Sequence, residues 1–391
     1  MKSMSAHSLK RGRSGALVLG LAAFAAIAVP ASASASTGAS PVVGHVYVDD
    51  NTAGTNTIGA FDRHADGTLT PLAGSPFAAG GAGTGSGLAS QDALQLSADG
   101  RFLIAVDAGS DQVSVLRIRD GGSLGLVPHG VVSSGGLLPD SIAVHGSLVY
   151  VANSGAGGSN YTGFRLGANG RLSPIPGSTV TLAASAAPGD VLFNGTGTKL
   201  AGAEVGTSLI DSFTVGFDGR LTAAAGSPFQ AQGLGPFGSE FRPTHPDQLF
   251  VSNAHNGAGL GTVSAFTDSP NGTLTPVAGS PFPDQQTAPC WVEITHDGQF
   301  LFTVNTASGS ISRYRIAPGG ALTLLGSTQV RGTSVGAVDA RLSPGGRFLY
   351  LDESAVGKVG AFAVADGNLT ELATSPFQLP AGAAPAGIVV T

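Results

Sequence analysis

Apolar and polar positions alternate along this chain in short runs, each stopped by a cluster of Gly, Asp, Asn or Ser and followed by another run. From Ala93 the order is ALQLS, the turn ADG, RFLIAVDA, the turn GSD, QVSVLRIR, the turn DGG and SLGLV. A period of two, with β-branched residues inside the runs and turn formers between them, predicts four strands of about 5–7 residues. No helical period of useful length follows residue 35, so the chain is expected to be all-β.

The four-run unit recurs. DSFTVGFDGRLTAAAGSPFQAQG, beginning at Asp211, has counterparts beginning at Gly59, Ser114, Thr162, Ser264, Ser312 and Gly360. Phe61, Leu116, Phe164, Phe213, Phe266, Tyr314 and Phe362 hold equivalent places, spaced by 55, 48, 49, 53, 48 and 48 residues. A repeat near 50 residues with four strands is a propeller blade, whose neighbours bury faces that no blade buries alone. The reading is a seven-bladed β-propeller with four antiparallel strands per blade. GHVYVDDN, from Gly44, aligns with the second strand of a unit and AGIVVT, from Ala386, with the first. The two ends should therefore share one blade and close the ring, which removes both free sheet edges. Ser-Pro-Phe, at Ser75, Ser227, Ser280 and Ser375, belongs to the repeat, with Pro expected to end the outer strand.

Residues 1–35 are of another kind. Lys2, Lys10, Arg11 and Arg13 precede a short apolar run and then small residues up to Ala35, the pattern of a secretory signal. The run is short for a membrane span. Residues 36–391 read as one domain, expected to be secreted or held in the cell envelope and to be monomeric. The formal net charge is −6, and losing those four basic residues makes it −10. So acidic a surface, without a basic stripe, argues against nucleic-acid partners and for small molecules. Cys290 is the only cysteine, so no disulfide braces the chain and the thiol is expected to be buried and structural.

Candidate chemistry falls in two columns. The ends of the second strands carry Asp50, Asp107, Asn153, Glu204, Asn253, Asn305 and Glu353. Loops after second strands and connections between blades open on the same end of a propeller, so these seven are expected to ring the channel mouth. Asp and Asn also end strands as turn formers, which leaves Glu204 and Glu353 least explained. The innermost strands carry Gln95, Ala143, Leu192, Glu240, Glu293, Arg341 and Val389, with Glu293 and Arg341 placed to pair across the channel. His255 lies on the loop beyond Asn253. There is no HExxH and no Cys cluster for zinc, and no G-x-S-x-G elbow stands between a strand and a helix, since no helix is expected. No cofactor is required by any motif, and a Ca²⁺ site among the oxygen donors is the minor reading.

From about Val43 onward the chain resembles the seven-bladed β-propeller lactonase family, which includes 6-phosphogluconolactonase-type and carboxymuconate-cyclase-type proteins. Residues 94–118, 138–155 and 286–316 carry the resemblance. It implies opening or closing of a lactone ring at the channel mouth, without a required metal in the cycloisomerase branch. It also implies an acid/base Glu at the end of the fourth blade's second strand, which Glu204 matches. That branch has Gly-Pro-Arg-His before the fourth blade's innermost strand and Pro-His before the third's. Here those places read Ala187-Pro188-Gly189-Asp190 and Pro139-Asp140. Three readings follow. The first is a lactonase with Glu204 as base, Arg341 stabilising negative charge, and the other circle members with His255 and Glu293 orienting the ligand. The second is a non-catalytic propeller that binds a carbohydrate or protein on its mouth. The third is Ca²⁺-assisted lactone hydrolysis.

Overall fold

Short carboxylate side chains reverse the chain where turns are expected. Asp99 accepts from the Arg101 amide, Asp297 from that of Gln299 and Asp218 from that of Arg220, at 3.0–3.1 Å, so the flanking strands leave antiparallel. The computed structural model describes residues 40–332 and 336–391; residues 1–35, read as a signal, lie outside them. The described strands form seven antiparallel sheets, one per repeat. Blade two shows the pattern from axis to rim: Leu94–Leu96, Phe102–Asp107, Gln112–Ile118 and Leu124–Ser133. The innermost strands touch their neighbours in one closed circuit. Among the described residues no helix is long and apolar enough to cross a membrane.

Blade one takes its innermost strand, Gly387–Val390, from the far end of the chain. That strand lies against Val42–Asp49 in the register Val46 to Val390, Tyr47 to Val389, Val48 to Ile388 and Asp49 to Gly387. Arg63 adds Nε and Nη2 bonds of 3.0 and 2.7 Å to the Thr391 carbonyl. The expected closure is the one observed.

The apolar face of each blade packs on the next. In one core cluster Ala201, Ala203 and Ile210 of blade four meet Leu249, Val251 and Phe266 of blade five. All seven repeat markers from Phe61 to Phe362 are buried. The outer strand departs from expectation. In blades one, four, five and seven Ser-Pro does not end it but breaks it into two short pieces that both pair with the third strand. The serine hydroxyl fills the break: Ala60, Ser212, Ala265 and Ala361 donate their amides to Ser75, Ser227, Ser280 and Ser375 at 2.8–3.0 Å.

One connection does more than join blades. Residues 84–93, between blades one and two, reach across the axis. Trp291 of blade six donates to the Ser90 carbonyl at 2.8 Å. Gln91 donates to the Ser239 carbonyl of blade five at 3.0 Å and accepts from the Val292 amide of blade six at 2.9 Å. Its own amide donates to Gly189 of blade four at 2.8 Å. Asp92, held at φ 67°, pairs with Arg341 of blade seven. Gly238 has no side chain because a Cβ there would collide with Gln91 Oε1. This segment plugs the channel that the innermost strands enclose.

Candidate functional site

A β-bulge places the residue that matters most. At the start of blade three's inner strand Asn153 pairs with Pro139 and Ala152 with Ser141, so Asp140 is the extra residue between them. A bulged residue leaves the in-out alternation and its side chain is re-aimed. Asp140 thus turns into a cavity of about 340 Å³ at the mouth, within the range of small-molecule sites. The plug segment supplies Thr84, Ser86, Leu88 and Ala89 to its wall, the chain leading into blades three and four supplies Leu138, Asp140, Ala187 and Pro188, and the turns after their second strands supply Ser154 and Val205. Leu138 and Ala187 hold φ values of 51° and 42°, the backbone kinks that steer both of these lead-in segments inward.

Asp140 is 3 % exposed, and its Oδ1 has no hydrogen-bond partner. Burial pushes its carboxyl well above the usual range, against the opposing pull of the Ser154 hydroxyl and nearby backbone amides. In blade four the extra residue is Gly189, so Asp190 falls one place on. Its Oδ2 accepts from the amide and hydroxyl of Ser239 at 2.9 and 2.6 Å, and its Oδ1 from Ser141 at 3.3 Å, which ties blades three, four and five together. Burial, then the nearby Asp92, raises its proton affinity.

None of the ten residues nominated from the sequence lines this cavity. The seven second-strand ends do share one register, but all are buried rather than set round an open mouth. Asp50 accepts from Thr57 at 2.8 Å and Asp107 from Ser114 at 2.5 Å. Asn153 donates to Asn160 at 3.0 Å, Asn253 to Ser264 at 2.8 Å and Asn305 to Ser312 at 2.9 Å. Each bond runs from the end of strand two to the start of strand three. Glu204 accepts from Thr207 and stands beside Asp211, whose carboxyl is raised to about 8 by burial and then by the Glu204 charge. Tyr161 donates to Asp211 at 3.0 Å. Glu353 has an unpartnered Oε1 and is raised to about 7, first by burial and then by Glu371. His255 is exposed on its loop.

The expected pair of Glu293 and Arg341 is present, Oε2 to Nη1 at 3.2 Å. The guanidinium also meets Asp92, and Asp339 at 4.0 Å, so it is committed to a carboxylate cluster against the plug. A second cavity, about 310 Å³, lies along the channel between Asp92, Gln95, Leu192 and Glu240. Clefts of about 410 and 440 Å³ open at equivalent turns of blades two and six, lined by Asp99 and Phe102 in one and Asp297 and Phe300 in the other. Recurrence marks them as architecture. Among the described residues no group of three or more His, Cys, Asp or Glu side chains is arranged to hold a metal ion.

A family description, "Lactonase, 7-bladed beta-propeller", matches residues 51–187 and 242–389, well over half of the chain. The chain belongs to the seven-bladed β-propeller lactonase family. The unmatched stretch between those segments is blade four, where Gly189 and Asp190 replace the expected Arg and His, together with all but the last residue of the innermost strand of blade five, Pro236–Arg242. No curated protein sequence matches the chain. Solved structures do. A putative 6-phosphogluconolactonase from Bacteroides fragilis is 20 % identical with a TM-score of 0.68, covering 88 % of this chain and 97 % of its own. One from Bacteroides uniformis is 18 % identical with a TM-score of 0.71, covering 88 % and 98 %. The periplasmic gluconolactonase of Pseudomonas aeruginosa is 19 % identical with a TM-score of 0.68, covering 88 % and 98 %. At such identities the likeness is one of fold.

The positions that matter were partly visible in sequence. Asp140 and Asp190 stand where the family resemblance has His, and the plug occupies the longest of the six repeat spacings.

Proposed function

We propose that this lactonase-family propeller hydrolyses a sugar lactone in the mouth cavity, with Asp140 as general base. The observation that carries the reading is Asp140 itself: buried, short of a partner on one oxygen, raised in proton affinity and set on the wall of the cavity. A carboxylate so placed takes a proton from water as the water oxygen bonds to the lactone carbonyl carbon. The ring C–O bond then breaks, the ring oxygen takes the proton back from Asp140 and leaves as a hydroxyl, and the product acid releases its own proton to solvent. In this reading the role that the resemblance attaches to Glu204 passes to Asp140. The Bacteroides and Pseudomonas neighbours are named for sugar-type lactones, which supports the substrate class.

Acid release from gluconolactone, followed in a pH-stat with the full chain, tests this. Asp140→Asn is expected to lower kcat/KM by about 10²–10⁴-fold, and Glu204→Gln to change it by no more than a few-fold. The reverse order would return the base to Glu204. No acid release from any lactone, together with protection of the fold by an added sugar, would leave the binding platform instead. Export belongs to the same proposal and rests on the pattern of residues 1–35. N-terminal sequencing of protein recovered outside the cell, beginning near Ser36, tests it.

A further inference from the structure

We infer that the mouth cavity accepts an uncharged polyhydroxy lactone and discriminates against the phosphorylated form; this rests on the lactonase reading above. The polar side chains on its wall are the hydroxyls of Thr84, Ser86 and Ser154 and the carboxyl of Asp140, and no Lys, Arg or His stands among them. Hydroxyls and a carboxyl suit the hydroxyl groups of a neutral sugar ring, accepting and donating in turn. A phosphate dianion needs something else: a guanidinium fork, an ammonium, or the converging amides of a helix N-terminus. Among the described residues the chain has no α-helix.

Nor are the cations elsewhere in reach. Arg341 is paired with Asp92 and Glu293 beside the plug. Arg331 and Lys358 belong to blades six and seven, whereas the cavity wall comes from the plug segment and blades three and four. Arg331 donates to the Ser375 carbonyl at 2.7 Å. Arg101 and Arg220 sit in turns at the opposite end of the ring and are paired there with Asp99 and Asp218. A phosphate in this cavity would meet the wall hydroxyls and Asp140 but no cation, and like charges at such range repel.

The experiment compares gluconolactone with 6-phosphogluconolactone on the native full chain, each corrected for spontaneous hydrolysis. The neutral lactone is expected to be favoured in kcat/KM by about tenfold or more. Ser86→Arg, which adds a cation to an exposed part of the wall, is expected to raise the phosphorylated rate several-fold and narrow that ratio. If the native chain opens the phosphorylated lactone as well as the neutral one, this inference falls and the lactonase reading stands. If Ser86→Arg leaves the ratio unmoved, lack of a cation is not its cause and the inference falls likewise. If neither lactone is opened above background, the lactonase reading itself falls, and this inference with it.

Discussion

A carboxyl that is buried without its full set of partners holds its proton more tightly, and the sign of its pH dependence follows. Asp140 works as a base only when ionised, so kcat/KM should rise with pH, with a midpoint above the usual carboxylate range. A pH–rate profile checks this, and Asp140→Asn should remove the rising limb. Asp211 offers a second residue-scale test. Its folded value of about 8 exceeds that of an exposed Asp, so its contribution to stability is present in acid and is lost as pH rises through 8. Glu204→Gln removes the charge that helps to raise it. That variant should therefore lose less stability than the native chain between about pH 6 and 9, as read by Tm. At this scale sequence reading found the right registers and the wrong directions. Asp50, Asp107 and Asn305 sit at one height in their blades, as their strand ends imply, but they point at strand-three hydroxyls. Asp140 was visible only as a replaced His, because a bulge breaks the period of two on which the columns depend.

The plug is the element whose contacts decide the shape of the mouth. Gln91→Ala leaves the Val292 amide and the Ser239 carbonyl without partners in a dry place, at a cost of about 1–3 kcal/mol each. Trp291→Phe keeps the edge contact with Phe237, whose ring centroid lies 5.1 Å away, and removes only the bond to Ser90. Both should lower Tm by a few degrees, with Gln91→Ala the worse. If the plug floors the catalytic cavity, Gln91→Ala should also raise KM. A Tm unchanged in both variants would mean that the segment is dispensable. The start of this segment, Thr84-Gly85-Ser86-Gly87, carries no motif, and in the sequence only the 55-residue spacing sets this connection apart. Its partners lie up to 249 residues away, a distance over which local patterns carry no information.

For the molecule as a whole, ring architecture was legible because it rests on repetition, which survives errors at single positions. The seam between blades seven and one was less so, since its chemistry depends on which carboxylates meet. Asp50 and Asp339 are each raised to about 7, mainly by burial. Asp352, with both oxygens unpartnered, is raised well above the usual carboxylate range by burial and then by Asp339, Asp50, Asp49 and Glu353. Protonated groups sit there at no electrostatic cost, and ionised ones repel. Stability from this seam is thus present below about pH 4 and is lost as pH rises through 7. Tm should fall between about pH 5 and 8, and a Tm that rises over that interval would refute the assignment. Removing residues 387–391 should be more severe. It strips the fully or nearly fully buried Ile388, Val389 and Val390 from the core, about 1.5–3 kcal/mol each, and bares the edge of Val42–Asp49. The product should aggregate rather than melt.

That closing strand also sets an order of events as the chain is made. A ribosome delivers six whole blades and three strands of another before it delivers Gly387, and the bond from His45 to Thr391 spans 346 residues. Until then Val46, Tyr47 and Val48 present a bare edge to whatever surrounds the growing chain. Any machinery that carries the chain in an extended state therefore has only to hold it until the last few residues arrive, after which the ring locks behind them.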